Sequence, residues 1–343
     1  MKMITYRNQE DLQFLGFFGI CKESFKIIIS CKKIFSLITL TLILPSSTAL
    51  ISQINISQLL YSDILKYKNK LNHTEKNSPN YAKFLSITSS ESTAFTIFSA
   101  LNIAFFLILD ILVTSAVIYT TACIYSAIEI TFKKIISVSP KVWKRLAITY
   151  ICSLCIAFSY LIVGGALLLL WVFFVGVGKV SGVIFLLLLI PYVIGFLYLI
   201  LVYQLACVVS VLEDYGFKAM IKSNELIKGK IIVSICFCFL KELCMLGTEE
   251  VLENFAASDI NNKLLSIVLR TGVRMLCLFS QFLLGLFGYV FQTVIYFVCK
   301  SYHHENIDRN SLAERLDGFL GGHVPTKAEG VPNRGRFICC IVK

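Results

Sequence analysis

Asp110 is the only charged residue in the apolar run from Phe95 to Ile128. A carboxylate near mid-membrane costs about 2.5 to 3.5 kcal/mol on insertion scales, so it must be neutral, paired or turned toward water. In a wet cavity such a group relays protons or binds a solute. In a dry bundle it is an interhelical hydrogen-bonding group that fixes packing. Arg274, at the outer end of the last apolar run, and Lys241, inside the preceding one, are its candidate partners. Lys241 and Glu242 are sequence neighbours, so helical geometry predicts that they face different ways and do not neutralise each other.

Other reactive types are sparse. His303-His304-Glu305 is the one histidine-acid cluster, and adjacent side chains point in different directions. It would need distant partners to hold a metal; the alternative is a solvated segment beside the membrane. Cys152-Ser-Leu-Cys155 has redox or metal spacing but lacks a second pair. No phosphate-binding glycine loop, H-E-x-x-H helix or nucleophile elbow is present. The expectation is a protein without catalytic residues, cofactor or metal.

Most of the thirteen cysteines, Cys123, Cys207, Cys236, Cys238, Cys244 and Cys277 among them, fall inside apolar runs, where cysteine acts as a small hydrophobe. Cys31, Cys299 and the Cys339-Cys340 pair sit where acylation would anchor a chain. The terminal Cys340-Ile-Val-Lys343 mimics a prenylation box, for which a final Lys is a poor match.

The elements that must carry these groups are membrane helices. The chain is 57% hydrophobic and 15% charged, far below the quarter that is charged in globular domains. Six apolar runs stand out: Ile34 to Ile54, Phe95 to Ile128, Ile148 to Val177, Val183 to Leu212, Ile231 to Leu246 and Met275 to Val298. A span needs about 20 residues to cross about 30 Å of hydrocarbon. Pro45 should kink the first run and Pro191 interrupts the fourth. Gly164 and Gly165 in the third let helices approach closely. The fifth run is short and carries Lys241 and Glu242. The reading is an all-α polytopic integral membrane protein with about six transmembrane helices: residues 1–33 form an N-terminal segment, 34–299 the membrane domain and 300–343 a tail.

The net charge of +11 is concentrated beside the runs, which points to anionic headgroups and topology rather than nucleic acid. Lys22, Lys26, Lys32 and Lys33 precede the first run; Lys133, Lys134, Lys141, Lys144 and Arg145 follow the second; Lys218, Lys222, Lys228 and Lys230 follow the fourth. These regions are expected to be cytoplasmic. The loop from Asn55 to Thr93 carries the sequons Asn55-Ile-Ser57 and Asn72-His-Thr74, with Asn72 farther from the membrane, and is expected outside. An acidic loop with Glu249, Glu250, Glu253 and Asp259 fits the same side. The first run follows a polar segment and should stay as a signal anchor, and both termini fall in the cytoplasm. Phe14, Phe18, Cys21, Phe25 and Ile28 recur at steps of four and three, which predicts an amphipathic helix lying on the membrane surface. Its alternative is a continuation of the first span.

A second surface helix follows the fourth run. Phe217, Met220, Ile221 and Ile227 make an apolar stripe flanked by Lys218 and Lys222, and Gly229 can end the helix as its C′ residue. The candidate motif is Glu213, Asp214, Gly216, Ala219, Ser223, Leu226 and Gly229. With Pro191 before it, this stretch resembles the membrane domain attached to bacterial glycerophosphodiester phosphodiesterases and related bacterial membrane proteins. Over most of the chain, Leu15-Gly-Phe-Phe-Gly-Ile20, Val113-Thr-Ser115, Pro140-Lys-Val-Trp-Lys-Arg145 and Cys299-Lys-Ser-Tyr-His-His-Glu305 are similar to a plant family of multi-spanning membrane proteins, some named for binding to the poly(A)-binding protein. The resemblance implies a six-helix membrane protein and supplies no catalytic residues; the phosphodiesterase's catalytic barrel has no counterpart here. The functional expectation is a scaffold or trafficking-type component of the endomembrane system or plasma membrane, with lipids and cytoplasmic proteins as partners. Its rival is a small-solute transporter or channel with Asp110 in the path.

Overall fold

The computed structural model describes residues 12–74, 78–126, 131–175, 179–213, 215–257 and 263–305. Among these the elements are all helical. In chain order they are α1 (Phe17–Ser30), α2 (Lys32–Ile38), a π-helical segment (Thr39–Ile43), α3 (Leu44–Asn72), α4 (Pro79–Ser126), α5 (Phe132–Val175), α6 (Lys179–Leu212), α7 (Lys218–Leu226), a 3₁₀ turn (Ile227–Gly229), α8 (Ile231–Ala257) and α9 (Lys263–Tyr302). The protein is an all-α membrane protein.

Five described helices are long and apolar enough to cross a bilayer: α4, α5, α6, α8 and α9. The short fifth run is one of them, as part of α8. The first run lies in a helical stretch that continues without a gap from Lys32 to Asn72. Its residues are divided among α2, the π segment and α3. Pro45 accounts for the π segment, because it cannot donate to the carbonyl of Thr41 and its ring crowds that carbonyl. Beyond Pro45, α3 soon becomes polar, with Lys66, Lys68 and Lys70 in its last turns.

Helices also replace the expected loops. At 1.5 Å per residue the 48 residues of α4 reach about 72 Å, more than twice a hydrocarbon core. The loop expected from Asn55 to Thr93 is therefore mostly the end of α3 and the start of α4. The basic stretch Lys133 to Arg145 is the first part of the 44-residue α5, with Pro140 inside the helix. Glu249, Glu250 and Glu253 lie on α8, while Asp259 is outside the described residues.

The chain divides into two compact units, one comprising residues up to Ile38 together with those from Thr114 onward, the other Thr39–Val113. In the smaller unit Asn102 donates to the side-chain oxygen of Gln53, joining α4 to α3. Lys70 Nζ lies 5.4 Å from the Tyr67 ring centroid and 5.9 Å from that of Phe84.

In the larger unit α9 is central. Of its most apolar 18-residue window 67% is buried, against 6% for α5 and for α6. It packs on α1, α6 and α8, and Phe287 and Phe291 meet Phe25 of α1 and Phe237 of α8. The α5–α6 pair packs side by side, and its exposed apolar residues, Leu161, Leu169, Phe173 and Leu187 among them, are left for lipid. Gly164 lies under the Tyr192 ring and Gly195 under the Tyr160 hydroxyl, so a Cβ at either would overlap its partner. Gly165 faces open space. Of the two glycines read as contact points, Gly164 is one.

The N-terminal amphipathic helix forms as α1 and is separated from the next helix at Cys31. Its protein-facing side differs from the predicted stripe. Ile20, Ser24 and Ile27 are buried, whereas Phe14, Phe18 and Phe25 are exposed. The helix is apolar on two faces: one packs on α8 and α9, and the other presents Phe18 to the lipid surface, with Phe25 at its edge against Phe287.

Candidate functional site

The residues after α6 converge with the end of α9. Glu213 follows the last residue of α6, and Tyr296 and Lys300 are one turn apart on α9, so both project to the same spot. The Tyr296 hydroxyl and the Lys300 ammonium each donate to Glu213 Oε1 at 2.5 Å. Burial would raise the Glu213 pKa, but these two hydrogen bonds, with the charges of Lys300 and Lys222, outweigh it and hold the carboxyl below its ordinary value. It is therefore ionised in a largely covered site.

Helix α7 folds back against α6 from this point. The Ser223 hydroxyl shares its proton between the carbonyls of Val202 at 3.0 Å and Met220 at 2.9 Å. Tyr198 donates to Asn224 Oδ1 at 2.5 Å. From the other side, Lys222 pairs with Glu305, and His303 Nε2 lies 3.0 Å from the Leu226 carbonyl. A carbonyl only accepts, so Nε2 carries the proton there. His304 has φ 53° and turns the chain so that Glu305 N donates to Lys300 O. Ala219, Met220, Ser223, Leu226 and Ile227 are buried, and Tyr215, Phe217 and Ile221 are exposed.

The motif read from sequence is thus largely brought together, with three corrections. Gly229 is not a C′ residue: it lies in the 3₁₀ turn, and a Cβ there would overlap the Tyr302 ring. Its smallness admits an aromatic ring rather than a left-handed turn. The predicted stripe is split, since Met220 and Ile227 face the protein and Phe217 and Ile221 face out. His303 and Glu305 are not a freely solvated pair, because each holds α7. Gly216 accepts from the Ala219 N–H and has no atom near a built Cβ; Asp214 lies outside the described residues. Tyr296, Lys300 and Tyr302 were missed. Their signal was the four-residue spacing of Tyr296 and Lys300 on the last turns of an apolar helix.

Lys230 extends the cluster. It donates to the Leu15 carbonyl at 3.2 Å and lies 5.8 Å from the Tyr302 ring centroid. The segment leading into α1 is thereby joined to the end of α9.

The intramembrane charges arrange themselves differently from expectation. Lys241 Nζ and Glu242 Oε1 are 2.9 Å apart. Their Cβ vectors diverge, but the four-carbon lysine stem lies along Gly288 of α9, where a Cβ would sit 3.2 Å from Lys241 Cδ, and the ammonium curls back. Asp110 is half-buried on α4 in the smaller unit; Lys241 and Arg274 belong to the larger one. Cys31 and Cys299 are buried at 6% and 0% exposure, so neither is open to acylation; Cys339 and Cys340 lie outside the described residues. Asn72 is exposed at the last residue of α3, and Thr74 Oγ1 donates to the Lys70 carbonyl. Asn55 lies within that helix. Among the described residues no group of three or more His, Cys, Asp or Glu is placed to hold a metal.

Residues 6–332 match the family described as a domain of unknown function (DUF8558), a range that takes in every described helix. The chain belongs to the DUF8558 family. No curated protein and no solved structure matches it. In this DUF8558 protein the Glu213 cluster gathers the ends of α6 and α9, the hook α7 and the entry to α1 at one place.

Proposed function

We propose that this DUF8558 protein is a non-enzymatic scaffold or trafficking-type component of cellular membranes, whose basic side engages anionic lipid headgroups and protein partners. One observation carries the reading: α7 is tied down on its inner face by hydrogen bonds and the Lys222–Glu305 ion pair, while Tyr215 and Phe217 leading into it and Lys218 and Ile221 on it are exposed. A short helix cannot hold such a face alone. The ties to α6 and α9 fix an aromatic and basic surface at the membrane edge, where aromatic rings and lysines anchor to headgroups. The reading places that side, with both termini, in the cytoplasm of an endomembrane or plasma-membrane protein.

The test is proximity labelling of the tagged protein in its own cells, comparing wild type with Phe217→Glu/Ile221→Glu. Wild type should recover a coherent set of trafficking or lipid-metabolism proteins, and the variant should lose them at normal abundance. A scatter of unrelated neighbours from wild type would sink the reading. The rival, a small-solute transporter or channel, rests on Asp110, half-buried in the most apolar part of α4. Loss of a solute flux in Asp110→Asn at normal abundance would favour it; unchanged flux of every screened solute would count against it.

A further inference from the structure

Between α5 and α6 lies a partly open cleft of about 110 Å³. Tyr150, Ser153 and Ala157 of α5 and Phe196 and Tyr203 of α6 line it, with Met220 of α7. Its origin lies in the spacing of the helix contacts. At one end the Thr149 and Ser210 hydroxyls meet at 2.6 Å, and the Tyr150 and Tyr203 rings meet edge to face at 5.4 Å. At the other, Tyr160 stacks on Tyr192 at 4.9 Å and donates to its carbonyl at 2.8 Å. Between these two locks the α5 wall is built from Ser153 and Ala157, one turn apart and too small to fill the space.

Size decides the class of occupant. Sites for whole small molecules enclose about 300 to 1,000 Å³, and this cleft is well below that range. It is nearer the apolar cavity of about 150 Å³ that accepts benzene, so it takes a short stretch of one hydrocarbon chain. Ile151, Ile156 and Val193 beside it are exposed, which leaves its side open to lipid. Depth decides the source. Trp143 and Lys144 are exposed on the same helix, and Trp and Lys together mark a membrane interface. Tyr150 lies seven residues beyond Trp143, about 10 Å along the axis, where acyl chains begin. Charge decides the headgroup. Lys144 lies six residues before Tyr150 on α5 and Lys218 two residues before Met220 at the start of α7, and both are exposed.

We propose that the cleft between α5 and α6 binds one acyl chain of an anionic phospholipid, whose headgroup rests on Lys144 and Lys218. The headgroup half rests on the reading that the basic side engages anionic lipid; the chain half stands on the cleft alone.

The experiment is native mass spectrometry of the full chain, purified in mild detergent, delipidated and titrated with phosphatidylserine or phosphatidylcholine of identical chains. Wild type should retain one phosphatidylserine in preference to phosphatidylcholine. Filling the cleft with Ala157→Phe or Ser153→Phe should weaken retention roughly tenfold, as expected for two lost methylene contacts. Lys144→Gln/Lys218→Gln should abolish the preference and keep the chain bound. A phosphatidylserine bearing a photoreactive acyl chain gives a readout on the unaltered protein, with cross-links expected on residues 150–157 and 196–203. Cross-links confined to other helices, or equal retention by the monodisperse filled variants, would overturn the site. Equal affinity of wild type for the two lipids, with cross-links at the cleft, would overturn the headgroup half alone. Loss of partner recovery in the Phe217→Glu/Ile221→Glu protein bears on the scaffold reading and leaves acyl-chain cross-linking at the cleft unchanged.

Discussion

Lys300 Nζ lies 2.5 Å from Glu213 Oε1, although 87 residues separate the two in sequence. Their side chains are 17% and 9% exposed, whereas those of Lys222 and Glu305, joined on the other side of α7, are 28% and 34% exposed. The two ion pairs therefore differ in energetic weight.

Removing one partner from a covered pair leaves an uncompensated charge, which costs about 3 kcal/mol or more. Opening a pair that water already screens costs less than about 1 kcal/mol. Lys300→Met should lower the melting temperature of the purified protein by several degrees, and Lys222→Met should change it little. Differential scanning fluorimetry in one detergent decides the comparison, and equal shifts would remove the distinction.

The pH dependence of the cluster follows from the same groups. Glu213 titrates below the ordinary carboxylate value because its hydrogen bonds and the nearby lysines outweigh burial. Its contribution is complete above about pH 4.3 and is lost as pH falls through the lower folded value. For Lys222, burial lowers the pKa, but the hydrogen bond and charge of Glu305 raise it further, to a net rise. Its contribution is complete below about pH 10.4 and fades only as pH rises through the higher folded value. Melting temperature measured against pH should stay level from about pH 5 to pH 9 as far as these two groups are concerned. Below that range wild type should lose more stability than Glu213→Gln; parallel acid limbs would show that Glu213 is not the group responsible.

Gly164 and Gly165 make an internally controlled pair. A leucine at Gly164 must displace the Tyr192 ring, and overpacking of this kind costs about 1 to 3 kcal/mol. At Gly165 the side chain enters open space, and the change should fall within about 0.5 kcal/mol. Thermal melts of Gly164→Leu and Gly165→Leu should differ accordingly; similar melts would mean that α5 and α6 do not meet through Gly164.

Topology is open to a direct check at Asn72. The side chain is exposed at the end of α3, with its sequon running into the turn that follows. Expression in glycosylating cells should give a form that shifts on glycosidase treatment and is absent in Asn72→Gln. A sequon introduced between Lys133 and Arg145 should stay unmodified. Glycan addition there would invert the assignment of sides.

The four runs that became α4, α5, α6 and α9 were legible because an apolar stretch bounded by lysines is a local pattern, and a bilayer selects it by length and composition. Ile231 to Leu246 was legible for the same reason, although Lys241 obscured it; a glycine on a neighbouring helix receives the lysine stem, and no local rule shows that. Ile34 to Ile54 was legible as an apolar helical run, but length alone does not show that the helix passes through a π segment just before Pro45. On α1 periodicity found the helix and an apolar stripe. It could not tell which of two apolar faces would meet protein.

Sequence alone determined the solvent of this protein, a lipid bilayer, since no other medium accepts so many apolar runs. It also determined the segment from Glu213 to Gly229 as an element apart, because its pattern of acid, glycine and amphipathic turn is contained within a few residues. Only the tertiary structure decided what that element does. The partners of Glu213, Lys222, Leu226 and Gly229 are Tyr296, Lys300, Tyr302, His303 and Glu305, carried by the far end of another helix and the turn that follows it. A hydrogen bond across that separation depends on how α6 and α9 pack, which no spacing along the chain encodes.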